Sequence, residues 1–219
     1  MGKDKLRKFA EIDAMENVHQ LHAGKVFRGQ WAAEHFKNNR PLVLELACGK
    51  GEYTVNLGKM FPEKNFIGVD LKGNRIWRGA KTAIEENISN VAFLRIQIED
   101  IAEYFGSEEV DEIWITFPDP QPQLSRTKKR LTAPGFLEKY RKFLKAGGKV
   151  NLKTDNDQLY AYTKEIIEQL NLPVFKDTDD LYHSSWADEV LSIKTYYEKK
   201  YLLHDKNINY IQFSLTPNP

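Results

Sequence analysis

Residues 43–55, VLELACGKGEYTV, run apolar for the length of a strand and then break into Gly49-Lys50-Gly51 before an amphipathic segment begins. A strand that turns through glycines into a helix places the turn at the carboxyl edge of a sheet, where backbone can approach a ligand and tolerate positive φ. Short β-branched runs go on alternating with segments of 3.6-residue period, the sign of βαβ units. Strands are expected at 42–47, 66–70, 91–96, 112–117 and 149–153, with a late one at 210–215. Helices are expected at 53–60, 75–86, 134–144 and 158–170. In 134–144 the residues Phe136, Leu137, Tyr140, Phe143 and Leu144 share a face expected to be core, and Gly147-Gly148 is expected to end that helix.

With 219 residues and 41% apolar content, the chain has material for one good core and too little for two, so residues 31–219 are expected to form a single domain. Residues 1–30 are basic and weakly patterned, and look like an arm that orders only on contact. The charged start lacks the apolar region of a signal peptide, and no apolar stretch approaches the ~18 residues of a membrane span. One cysteine, Cys48, cannot form an internal disulfide, so a cytoplasmic, reducing location is expected.

The net charge of +1 conceals polarity along the chain. Between Arg126 and Lys153 stand ten basic residues and one acid, leaving 22 basic and 30 acidic residues elsewhere. A +9 segment beside a −8 remainder suits a polyanionic partner, although 138–145 alone also fits an ordinary solvated helix face.

The acids point to the ligand at the glycine turn. A dinucleotide fingerprint places a third glycine where this chain has Thr54, which disfavours a dehydrogenase. Asp70, at the end of the second strand, is placed to accept ribose hydroxyls. Glu45, mid-strand beneath the turn, suits a cationic ligand better than a diphosphate. S-adenosylmethionine combines ribose, ammonium and sulfonium. Asp119 stands between Pro118 and Pro120 after the fourth strand, and Asp155 follows the fifth, so glycine or acid marks four strand ends on one edge.

The segments LELACGKGEYTV, FIGVDLKGNRIWRGAK, FPDP followed by KKRLT, KTDN and TYYE run in order from Pro41 to Glu198 and resemble the bacterial tRNA (guanine-N7)-methyltransferases. The resemblance implies a Rossmann-like class I methyltransferase fold: α/β, with a mostly parallel central sheet, helices on both faces and an antiparallel late strand. It implies methyl transfer from S-adenosylmethionine to N7 of a guanine in the tRNA variable loop. Glu45, Asp70 and, by family spacing, Gln97 would hold the cofactor with the turn of Gly49 and Gly51; Glu99 is the alternative to Gln97. Asp119 would lie between cofactor and guanine. Gln123, Lys129, Arg130, Asp155 and Thr195 to Glu198 would serve the tRNA.

Some positions depart from the family pattern. Gln121 and Gln123 replace its usual tryptophan and lysine, and Ser125-Arg126 replaces an Arg-His pair. A non-catalytic tRNA-binding protein of the same fold, or a methyltransferase for another nucleic acid, therefore remains an alternative. Tyr196, Tyr197 and Trp186 are candidates to stack on an extruded base. Monomer and homodimer are both open; no metal and no membrane are expected.

Overall fold

The computed structural model describes residues 3–20, 27–203 and 206–216, without the side chains of Lys3, Tyr197 and Tyr201. In chain order the main elements are α1 (Lys3–Asp13), β1 (Val18–Gln20), β2 (Leu42–Leu46), α2 (Glu52–Met60), β3 (Asn65–Asp70), α3 (Gly73–Glu85) and β4 (Val91–Arg95). They continue with β5 (Val110–Thr116), α4 (Pro134–Arg141), β6 (Leu144–Thr154), α5 (Asp157–Gln169), β7 (Val174–Thr178), α6 (Tyr196–Leu202) and β8 (Asn209–Ser214).

Among the described residues the strands form one eight-stranded sheet in the order β1-β4-β3-β2-β5-β6-β8-β7. Neighbours from β1 to β6 are parallel, and β8 runs antiparallel to both β6 and β7. The chain winds outward from β2 through β3 to β4, then returns to lay β5 on the other side of β2. That reversal opens a crevice at the carboxyl ends of β2 and β5, where sheets of this kind bind ligands.

Successive residues of β2 point to opposite faces. Leu42, Leu44 and Leu46 enter a core with Leu137 and Tyr140 of α4 and Leu159 of α5, while Val43 joins Tyr53, Val55 and Ile76 from α2 and α3. All five β2 residues are buried because helices cover both faces. Each fully buried leucine contributes about 1.5–3 kcal/mol.

Three expectations change. The helix that was to run to Leu144 ends at Arg141, and Leu144 opens β6. Phe143 and Leu144 are core residues as expected, but they reach the core from a turn and a strand. The glycines belong to an irregularity in β6: pairing with β5 jumps from Val110↔Leu144 to Glu112↔Lys149, and Gly147 takes φ 74°. Residues 3–20 are also more ordered than an arm. Ile12 is 0% exposed, and Gly73 at the start of α3 leaves the space that a Cβ would take 2.6 Å from Ile12 and 2.8 Å from Phe9. The charges of α1 hid this narrow apolar face. The third change is β7, an edge strand that the sequence pattern did not suggest. No helix among the described residues is long and apolar enough to cross a membrane.

Candidate active site

The two glycines of the first turn do different work. Both have positive φ, 57° at Gly49 and 69° at Gly51. A Cβ on Gly51 would stand 2.4 Å from the Phe93 ring, so its absence lets α2 pack on the sheet; one on Gly49 would meet nothing within 4 Å. Gly49 faces open space.

Glu45 lies under that turn, 3% exposed. Its Oε2 accepts the Thr54 N–H at 2.8 Å and the Thr54 hydroxyl, and Oε1 accepts the Thr116 hydroxyl. The Thr54 N–H is one of the donors that the first turn of a helix leaves without an intrahelical partner, so a strand carboxylate caps α2 from below. Burial pushes the Glu45 carboxyl up to about 7, against the downward pull of the Thr116 and Thr54 bonds.

Asp70 joins two turns: Oδ2 accepts the Gly49 N–H at 2.9 Å and Oδ1 the Lys72 N–H at 2.7 Å. Each oxygen retains a free acceptor position. After β5 the backbone is contorted, with Phe117 at φ 48° and Gln121 at φ 46° on either side of Pro118-Asp119-Pro120. Asp119 is exposed, and its Oδ1 accepts the Gln121 N–H at 3.1 Å.

A cavity of about 180 Å³ gathers these strand ends: Asp70, Gln97, Glu99, Asp119, Gln121 and Lys129 line it, with Leu71, Ile98, Leu131 and Phe136 among its apolar walls. Gln97 and Glu99 both reach it. The sequence reading missed Leu71, 53% exposed, and Ile98; an apolar residue directly after a site residue at a strand end was the available signal. Glu45, Gly49 and Gly51 do not line this cavity; Gly49 is joined to its lining through the bond of its N–H to Asp70.

The expected substrate residues divide. Gln123 and Lys129 are exposed, but Arg130 is only 6% exposed, with its guanidinium on the carbonyls of Pro120 and Gln121. Arg130, expected to serve the tRNA, has its charge turned to its own loop. Asp155 lines a separate cavity of about 630 Å³ with Asp157, Tyr160, Asp179 and Lys206, whose Nζ is 3.6 Å away. Burial raises its pKa, against Lys206.

Thr195 and Glu198 form a capping box on α6: the Glu198 N–H donates to Thr195 Oγ1 at 3.2 Å, and the Thr195 N–H to Glu198 Oε2 at 3.3 Å. Glu198 Oε1 also lies 2.8 Å from Lys153 Nζ, both side chains being 0% exposed, and accepts the Tyr182 hydroxyl. Expected at the substrate, the Glu198 side chain is instead inside the protein. The intervening Tyr196 is exposed; its N–H donates to Glu52 Oε2 at 2.7 Å and Lys50 Nζ sits 3.8 Å from its ring centre. Trp186 is 37% exposed beside Lys176, and the Tyr197 side chain lies outside the described residues.

A family model described as "Putative methyltransferase" matches residues 39–210. A tRNA (guanine-N(7)-)-methyltransferase of Bacteroides thetaiotaomicron is 50% identical over 98% of this chain and 87% of its own length. Another, from Porphyromonas gingivalis, is 52% identical over 90% of this chain and 81% of its own. The chain belongs to the tRNA (guanine-N7)-methyltransferase family. Solved structures agree on the class I methyltransferase fold: the 16S rRNA methyltransferase KamB superposes with TM-score 0.61 at 14% identity, covering 84% of this chain and 92% of its own. A 16S rRNA (adenine(1408)-N(1))-methyltransferase of Catenulisporales acidiphilia with cosubstrate SAM gives 0.55 at 12%, covering 85% and 90%. The donor set fits that cosubstrate in a methyltransferase of this family. A carboxylate with spare acceptors suits ribose, an amide or acid beside apolar residues suits adenine, and a buried carboxylate without an ion-pair partner among the described residues suits a nearby cation.

Proposed function

We propose that this chain transfers a methyl group from S-adenosylmethionine to N7 of a guanine in the tRNA variable loop. The supporting observation is the cavity at the strand reversal, which brings Asp70, Gln97, Glu99 and Asp119 together with the exposed cation Lys129.

Bound S-adenosylmethionine supplies a methyl group on a cationic sulfonium. Asp70 accepts the ribose hydroxyls, and Gln97 or Glu99 accepts the adenine amino group against the apolar surface of Leu71 and Ile98. Glu45 contributes negative charge beneath the turn. Guanine N7 has a lone pair and no proton, so no general base is required; the site must align the reacting atoms and offset the charge that develops on the purine. Asp119 does both by accepting hydrogen bonds from guanine N1 and its exocyclic amine. The exposed Arg126, Lys128 and Lys129 meet phosphates, which fix position without reading sequence. Gln123, Asp155 and the Thr195 to Glu198 segment act on the tRNA side, the last by holding exposed Tyr196 in place.

Incubation with labelled S-adenosylmethionine and unmodified tRNA, followed by nucleoside digestion, should give labelled 7-methylguanosine. Reductive cleavage at the modified nucleotide should map it to the variable loop. Label in another base would overturn the reaction, and a cut elsewhere in the tRNA would overturn the position.

A further inference from the structure

Within a run of exposed cations, Arg130 alone among residues 126–130 is buried, at 6% exposure. Its Nε donates to the Pro120 carbonyl at 3.2 Å and its Nη2 to the Gln121 carbonyl at 3.3 Å. The ring of Tyr162, from α5, lies 4.4 Å from the guanidinium carbon and holds it by a cation–π contact.

The Pro120 carbonyl and the Gln121 N–H are the two ends of one peptide unit, and that N–H donates to Asp119 Oδ1 at 3.1 Å. A cation on the oxygen end polarises the unit and strengthens what its N–H donates. The two carbonyls also bracket Gln121, whose φ of 46° a residue with a Cβ keeps only when its surroundings impose it. We infer that Arg130 is a positioning residue for Asp119, acting through the Pro120–Gln121 peptide to hold the carboxylate in its working orientation. The inference rests on the role proposed above for Asp119.

The test is single-turnover methylation by the full chain with saturating S-adenosylmethionine and unmodified tRNA, together with the salt dependence of tRNA affinity. Arg130→Met should slow methylation about tenfold, the effect of losing a charge-assisted hydrogen bond, and saturation should not restore it. Arg130→Lys should recover part of the rate, because an ammonium still donates to a carbonyl. The salt slope should stay at the wild-type value; a fall of about 0.7–0.9 would make Arg130 a phosphate contact and overturn the inference. In the Asp119→Asn background the loss on Arg130→Met should shrink, and equal losses in both backgrounds would show that Arg130 does not act through Asp119. If Arg130→Met does not fold, Arg130→Lys and Tyr162→Leu carry the same comparisons. An Asp119→Asn variant as fast as wild type would sink the role of Asp119 itself; a slow Asp119→Asn with a fast Arg130→Met would sink only the present inference.

Discussion

Glu45 and Glu198 are both buried carboxylates, 3% and 0% exposed, one in β2 and one tied to the end of β6. Glu198 has Lys153 at 2.8 Å and is neutralised by the protein itself. Among the described residues Glu45 has only two hydroxyls and an N–H, and the neighbouring Asp70 pushes its pKa further up. Half of the sheet edge is thus electrostatically closed and half is left with charge to balance. A buried carboxylate without an ion-pair partner is the place where a cationic ligand changes most; a paired one is scaffold.

The largest expected effect comes from breaking the closed half. Lys153 also donates to the carbonyls of Leu191 and Ile193 at 2.6 and 3.1 Å, so one ammonium holds the loop before α6 as well as Glu198. Lys153→Met strands the carboxylate and should cost about 3–5 kcal/mol in denaturant unfolding. A loss within experimental error of zero would mean that the ion pair does not organise this half.

The open half should respond to pH instead. The Glu45 carboxyl, up to about 7 when folded against 4.5 when free, binds more protons folded than unfolded across that window. Its contribution to stability is complete below 4.5 and is lost as pH rises through 7, by at most about 3 kcal/mol. Unfolding measured at pH 5.5 and 8 should therefore show a fall that Glu45→Gln lacks. Equal pH dependence in both proteins would remove Glu45 from the comparison.

Asp70 gives a smaller and more local effect on the same half. Asp70→Ala should raise the S-adenosylmethionine dissociation constant by about tenfold, from a lost charge-assisted hydrogen bond, and high cofactor should restore much of the rate. Unchanged affinity in titration would leave Asp70 as a turn fastener only, through its bonds to Gly49 and Lys72.

The strands and the edge they share were legible because short runs that are apolar but for one residue, such as Val43 to Leu46 and Phe66 to Val69, are satisfied by burial on both faces. The end of α4 was not, because Phe143 and Leu144 continue a helical period whether the backbone is helix or strand. The acids were legible as a set but not by role. Glu45 and Glu198 are both acids of the segments that carry the family resemblance, and only the position of Lys153, 45 residues before Glu198 in sequence, separates scaffold from site. Arg130 was hidden for the same reason, since a basic run does not state which member turns inward.

The smallest effect tests that last distinction. Lys129 is exposed in the cavity wall whereas Arg130 is buried behind the Asp119 loop, so two adjacent cations should behave differently toward tRNA. Lys129→Glu should weaken tRNA binding and reduce the log–log salt slope by about 0.7–0.9 for the phosphate contact it loses, leaving cofactor affinity unchanged. Arg130→Gln should leave that slope where it was. A reduced slope for Arg130→Gln, with none for Lys129→Glu, would reverse the assignment and place the RNA backbone on the inner side of the loop. Measuring both at several salt concentrations separates a counterion effect from a general loss of fold, because a misfolded variant loses affinity without a change in slope of one contact's size.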